Sequence, residues 1–235
     1  MIMRIRAFTL LELLVAISIV AILALLLFPF AASGLERARR VFCANSLRQN
    51  YAATLAYATD HAGSLSSMVA AGARDDFDSV VKVGNIMHKW GALYPDYMPA
   101  VDTFYCPSRK PDTRYSRNPG SHGYGEESFG VGIGKSYCEI SYAHVTGEGA
   151  GVQFATFSSN YATKVMAMDV FWRDVPNGPG GASVTHGDQF YNILCLDGHL
   201  VGFFDEEGRL ETYDVSGGRG SVLTNQALPY IESKL

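Results

Sequence analysis

Acidic charge is almost missing from the start of this 235-residue chain: between Phe8 and Ser33 the single ionisable side chain is Glu12. Basic charge is modest overall, 19 Lys and Arg against 23 Asp and Glu, for a formal charge of −4. No Lys/Arg stripe interleaves with the aromatic residues, so no nucleic-acid platform is expected. A Gly-x-Ser-x-Gly elbow is missing, and no Ser, His and Asp constellation stands out, so nothing indicates hydrolytic machinery. Gly130 to Ser136 imitates a phosphate loop, but the first glycine of that motif belongs at position 129, which is Phe129, and no strong apolar strand precedes it. That reading is excluded. Four cysteines, Cys43, Cys106, Cys138 and Cys195, are spaced too widely for a compact zinc motif. No internal repeat is found.

What the chain does have is a long apolar run. Phe8 to Ser33 would measure about 39 Å as a helix at 1.5 Å per residue, more than the ~30 Å hydrocarbon core of a bilayer. A cleaved secretory signal is the rival, since Arg4 and Arg6 precede the run and Phe30 to Ser33 offers small residues. Its apolar core would be only about 7 to 15 residues, shorter than this one. Arginines flank both ends, Arg4 and Arg6 before and Arg37, Arg39 and Arg40 after, so counting positive charges does not fix the orientation. A lone carboxylate inside such a run reads as functional, with a partner to be found. The run itself offers no evident partner.

The residues around it carry a resemblance. Ala7-Phe8-Thr9-Leu10-Leu11-Glu12 resembles the processing site of type IV prepilins and type II secretion pseudopilins, in which a dedicated peptidase cuts before Phe and methylates the new amine. A cut between Ala7 and Phe8 makes Glu12 the fifth mature residue, where that family carries an invariant Glu. Pro29 becomes the twenty-second, where many members carry a proline. Ala7 stands where glycine is usual. The resemblance implies N-methylation of Phe8 and pairing of the Glu12 carboxylate with the Phe8 amine of a neighbouring subunit, which supplies in trans the charge a buried carboxylate needs. Pro29 removes a backbone donor, so the helix is expected to kink or loosen over Leu25 to Pro29.

Beyond Ser33 the pattern becomes periodic. Leu35, Ala38, Val41 or Phe42, Leu47, Tyr51, Leu55 and Ala58 predict an amphipathic helix ending near Asp60, with Gly63 as its C-terminal cap. The remainder reads as one domain. Thr163 to Phe171 and Tyr191 to Leu196 predict buried strands. Asp197-Gly198 predicts a two-residue hairpin into His199 to Phe204, and Asp205 to Gly208 a further turn into a strand over Arg209 to Tyr213. Trp90 to Tyr97 reads as a short helix or turn, and Pro107 to Gly134 as a loop region with little regular structure. The expected fold class is α+β, a long N-terminal transmembrane and amphipathic helix packed on an antiparallel β-sheet head. Its segments would be a leader over 1–7, a membrane and filament-core helix over 8–33, a stem over 34–61 and a head over 62–235.

A second, narrower resemblance covers the head. Cys43 to Gln49, Trp90 to Tyr94, Phe104 to Ser108, and His186 with Asn192 to Leu200 resemble the prepilin-like proteins common in planctomycetes and related bacteria, which end in a His, nine residues and Asp-Gly. Here ten residues separate His186 from Asp197. His186, Asp188, Asp197 and His199 are candidate ligands of a divalent ion, but Asp-Gly is a standard hairpin pair, so a structural turn is expected and no metal. His186 is expected to bond to the hairpin backbone. Of three complete cysteine pairings, Cys106 with Cys138 is expected as a staple across the Gly/Pro-rich stretch; Cys43 with Cys106 is the alternative, and Cys195 should be a core thiol. Taken together these readings describe a filament subunit without catalytic activity or cofactor. Its partners would be copies of itself, prepilin peptidase, an inner-membrane assembly platform and, before assembly, the bacterial inner membrane. Arg4 and Arg6 would be cytoplasmic, the head periplasmic and then extracellular. A minor pseudopilin, or a monomeric membrane-anchored binding or hydrolytic domain, is the alternative.

Overall fold

The computed structural model describes residues 9–63, 78–83, 86–87, 89–108, 122–123, 137–144, 164–169, 186, 189–213 and 226–235; for 27–32 and for most of the strands at 78–87 and 137–144 it describes the backbone alone. Two compact units divide the chain, Met1–Ala38 and Arg39–Leu235. Helix α1, Leu10–Asp60, contributes to both.

In the first unit α1 is apolar on every side. Leu10, Leu13, Ile17, Val20 and Leu25 are all exposed, as no other element among the described residues packs on them. Such a helix buries its surface only in an apolar surrounding or against copies of itself. Ser18, the polar interruption, returns its hydroxyl to the carbonyls of Leu14 and Val15 at 2.9 Å, so it presents no unsatisfied group. The helix continues through Pro29, so of the expected kink or loosening over Leu25 to Pro29 an unwound stretch is not formed. A proline costs the helix one i to i−4 bond without ending it when the turns on either side hold. No helix among the described residues is long and apolar enough to cross a membrane. The stretch with described side chains, Leu10 to Leu26, measures about 25 Å at 1.5 Å per residue, against ~30 Å of hydrocarbon.

In the second unit the rest of α1 lies against a sheet. Its buried face is Cys43, Ser46, Leu47, Asn50, Ala53, Thr54, Tyr57 and Ala58. This differs from the face that apolarity predicts: Val41, Phe42 and Leu55 are exposed, and three polar residues hold core positions. Hydrogen bonds make that possible. Asn50 Nδ2 donates to the carbonyls of Ser46 and Thr103 at 2.9 and 3.1 Å, and the Thr54 hydroxyl donates to the carbonyl of Asn50 at 2.7 Å. The donors so paired lose little on leaving water, while Asn50 Oδ1 is buried with no hydrogen-bond partner among the described residues. The helix ends as expected. Ala62 and Gly63 take positive φ, 53° and 80°, and Gly63 N donates back to the Ala58 carbonyl at 2.6 Å.

Seven strands are described: β1 Asp78–Val83, β2 Ile86–Met87, β3 His122–Gly123, β4 Tyr137–His144, β5 Val165–Asp169, β6 Phe190–Cys195 and β7 Leu200–Phe204. They form one sheet in the order β2-β1-β4-β5-β6-β7, with β3 beside β4. The pairings are antiparallel except that of β3 with β4, so the sheet is mixed where an antiparallel one is expected. The meander of β5, β6 and β7 is legible in the sequence, but the strand expected over Arg209 to Tyr213 is not formed. Leu210–Thr212 is a 3-10 turn instead, because the Asp205 carboxylate binds Leu210 N at 2.8 Å and the Tyr230 hydroxyl at 2.8 Å and turns the chain away from β7.

Two cores flank the sheet. Cys43, Leu47, Tyr57, Trp90, Leu93, Phe104, Tyr142 and Leu194 fill the side facing α1. Val165, Met168, Tyr191, Ile193, Cys195, Phe203 and the C-terminal helix α2, Leu228–Glu232, fill the other. Strands buried on both faces read as continuous apolar runs, which is why β5 and β6 stand out in the sequence. The Cys43–Cys106 disulfide ties α1 to the segment after the 3-10 helix Val101–Phe104. This overturns the Cys106–Cys138 bridge and selects its alternative. Cys138 sits in β4, whereas Cys43 is on the buried face of α1, where Cys106 meets it.

Candidate functional site

The chemistry-bearing residues fall in two places, one in each unit. At the start of α1, Thr9 is the N-cap and Glu12 the third helical residue. Glu12 N donates to the Thr9 hydroxyl at 3.2 Å, Thr9 N donates to Glu12 Oε2 at 3.0 Å, and the Thr9 hydroxyl donates to the same oxygen at 2.9 Å. This reciprocal arrangement is a capping box, which satisfies donors that a helix start leaves orphaned. Glu12 therefore has a partner inside its own segment, contrary to expectation. The signal was in the sequence as Thr-Leu-Leu-Glu, a Thr followed three residues later by Glu at the head of an apolar run. The expected cleavage residues Ala7 and Phe8 lie outside the described residues, and of Pro29 only the backbone is described, within α1.

The head gathers a different set. Asp169 at the end of β5, His186, and the Cys43–Cys106 bridge meet in the core, all of them buried. His186 Nε2 lies 3.3 Å from Asp169 Oδ2 and 3.8 Å from Cys106 Sγ. Asp169 Oδ2 also accepts the backbone N–H and the side-chain amide of Asn192 on β6, at 2.7 and 2.8 Å. The same amide reaches the carbonyl of Arg40 on α1 at 3.3 Å, which links helix, β5 and β6 through one side chain. Sequence reasoning named His186 and Cys106 but missed Asp169. An Asp closing an apolar strand was the only signal available for it.

Asp197 and His199 do not join this cluster. They face each other at the tip of the hairpin, Nδ1 to Oδ1 2.6 Å, with both side chains about two-fifths exposed. Burial raises the Asp197 pKa, but the hydrogen bonds from His199 N and Nδ1 and the His199 charge outweigh it and hold the carboxyl below its ordinary value. The hairpin loop has three residues, not two: Cys195 N bonds to the His199 carbonyl and Gly198 N to the Cys195 carbonyl, with Gly198 at φ +89°. That is a type I turn closed by a left-handed glycine. Asp188, the remaining candidate ligand, lies outside the described residues. Cys195 is a free, buried thiol; burial first, then the charges of Asp197 and Glu232, push it up to about 11.

Residues 2–28 match the family model of the prokaryotic N-terminal methylation motif. The chain has a prepilin-type N-terminus. A motif of this type marks a substrate of prepilin peptidase, as in pilin and pseudopilin precursors. Thr9, Glu12 and the first part of the apolar helix all fall inside the matched segment. Searches of the curated proteins and of the solved structures return no match for this prepilin-type chain.

Proposed function

We propose that this chain is the structural subunit of a type IV pilus-like filament, cut between Ala7 and Phe8, methylated at Phe8 and polymerised through α1. The supporting observation is the pairing of one carboxylate, Glu12, with an otherwise apolar helix surface that is exposed over its described side chains. Counted over the sequence from Phe8 to Ser33, that surface is long enough to insert in a bilayer with Arg4 and Arg6 on the cytoplasmic side. In the single subunit the Glu12 carboxylate is occupied by Thr9. Assembly then brings the Phe8 amine of a neighbour, an opposite charge in an apolar medium, which binds a carboxylate more strongly than a neutral hydroxyl does. The capping box is a holding arrangement until that partner arrives. The protein performs no catalysis in this reading, and the head is its surface-exposed, disulfide-tied part.

The test is N-terminal sequencing of mature protein together with the filament yield of Glu12→Ala. A methylated Phe8 end, normal membrane insertion and loss of filaments in the variant are expected. An intact Met1, a cut after Ser33, or wild-type filament yield from Glu12→Ala would overturn the reading. Electron microscopy of sheared surface material distinguishes the role: long homopolymers mark a major subunit, and sparse incorporation marks a minor pseudopilin.

A further inference from the structure

Cys43, Cys106, Asp169 and His186 are scattered over the sequence, yet they present two sulfurs, a carboxylate oxygen and an imidazole nitrogen within 4.8 Å of one another, all four residues buried. A tetrahedral zinc with Zn–S bonds of about 2.3 Å and Zn–N or Zn–O bonds of about 2.0 Å has ligand-to-ligand edges of about 3.3 to 3.8 Å. The donor set is therefore of the right size and of the right chemistry for that ion. A second observation points the same way. Asp169 Oδ2 accepts from Asn192 and lies 3.3 Å from His186 Nε2, while Oδ1 of the same carboxylate is buried with no hydrogen-bond partner among the described residues, a costly state for a carboxylate.

We propose that these four residues form a zinc site of two cysteines, one histidine and one aspartate that closes when the Cys43–Cys106 bridge is reduced. The chemistry balances. A dithiol passes two electrons and two protons to the two sulfurs, giving two thiols and its own disulfide. Zinc then displaces both thiol protons to solvent and is held by two thiolates, the Asp169 carboxylate and neutral His186 through Nε2. The site carries a net charge of about −1, three anionic ligands against a divalent cation. Two N–H donors of Asn192 already face the Asp169 carboxylate, and the Arg40 guanidinium lies 4.4 Å over the Phe190 ring, which in turn packs edge-on against His186. Disulfide and zinc would thus be two closures of the same core, tying α1 to the Cys106 segment in either redox state, with the metal adding β5 and His186 to the tie.

The test uses the full-length chain in detergent, reduced with a water-soluble phosphine, desalted without oxygen and titrated with zinc against a chromophoric chelator, then with cobalt(II). One zinc per chain on the reduced protein is expected, none on the oxidised protein. The cobalt form should show thiolate charge-transfer and tetrahedral ligand-field bands. Asp169→Asn and His186→Ala should each weaken binding by at least about tenfold. Should the reduced chain lose its native circular dichroism, zinc should restore it, as it does wherever ligand binding and folding are one process. A folded reduced chain that retains no zinc would overturn the proposal. So would zinc bound equally by the oxidised chain, cobalt spectra without thiolate bands, or a reduced chain that zinc does not refold.

Discussion

The ring of Tyr51 occupies the space that a side chain on Gly198 would need: a Cβ built there stands 2.4 Å from Cε1 and 2.7 Å from Cζ. The same tyrosine donates its hydroxyl to the Leu196 carbonyl at 3.3 Å, so α1 grips the β6–β7 hairpin by its tip. Gly198 is required twice over, by its φ of +89° and by this contact. Gly198→Ala should destabilise the head by roughly 2 to 4 kcal/mol, combining a left-handed alanine with an overpacked contact. Thermal unfolding of the chain in detergent measures this. Adding Tyr51→Ala should recover part of the loss, which an effect of backbone strain alone would not allow.

The Cys43–Cys106 bridge closes a loop with a sequence separation of 63. The chain-entropy relation gives on the order of 4 kcal/mol for a loop of that size. Cys43→Ser under metal-free conditions should therefore lower the denaturant midpoint markedly. Reduction of the parent protein with a chelator present should produce a shift of the same size. Mass mapping of unreduced peptides should show Cys43 joined to Cys106.

Thr9→Ala removes the hydroxyl that both accepts from Glu12 N and donates to its carboxylate. Among the described residues, the backbone N–H at position 9 then remains as the donor to Glu12. Membrane insertion should persist, and under the proposed function filament yield should change less than in Glu12→Ala, because Thr9 would hold the carboxylate before assembly and the neighbouring amine afterwards. Equal loss in the two variants would show that the hydroxyl acts in the filament itself.

The depressed Asp197 carboxyl sets the sign of an acid effect. Its folded pKa lies below the unfolded one, so its contribution is fully present above the ordinary carboxylate value of about 3.9 and is lost as pH falls through the lowered value. Asp197→Asn should flatten the stability profile below about pH 4. The change should be small, since the pair is partly exposed and screened.

Cys195 gives the opposite edge of the profile. Its thiol is pushed up to about 11, above the ordinary value near 8.5, so the contribution is intact below about pH 8.5 and declines as pH rises toward 11. Alkylation of Cys195 in native protein at pH 8, followed by peptide mapping, should be negligible and should rise on unfolding. Cys195→Ala should remove the alkaline slope attributable to this thiol.

Periodicity and turn chemistry made α1, its cap at Gly63, the three strands of the meander and the 3-10 turn at Trp90 legible, because each is written in neighbouring residues. The buried face of the stem was misjudged for a definite reason. Asn50 and Thr54 read as surface residues until their hydrogen bonds to the carbonyls of Ser46, Thr103 and Asn50 are seen, and the bond to Thr103 crosses from the helix to a segment far along the chain. Strands β1 and β4 went unread since Asp78–Val83 and Tyr137–His144 mix charged and polar residues with apolar ones, and only their pairing makes them strands.

The sequence alone determined the prepilin-type N-terminus, since its motif lies within residues 2–28 and its offsets are fixed by the chain itself. It also determined the apolar character of the first unit and the existence of an α+β head. Tertiary structure decided which cysteine meets Cys106, and that His186 finds Asp169 rather than the Asp197–His199 tip. The bridge joins positions 63 apart in sequence, and the cluster draws on α1, on the Cys106 segment, on β5 and on His186 beyond it. Such meetings depend on how α1 packs on the sheet and on the register of its strands, a sum over the whole core that no local pattern records.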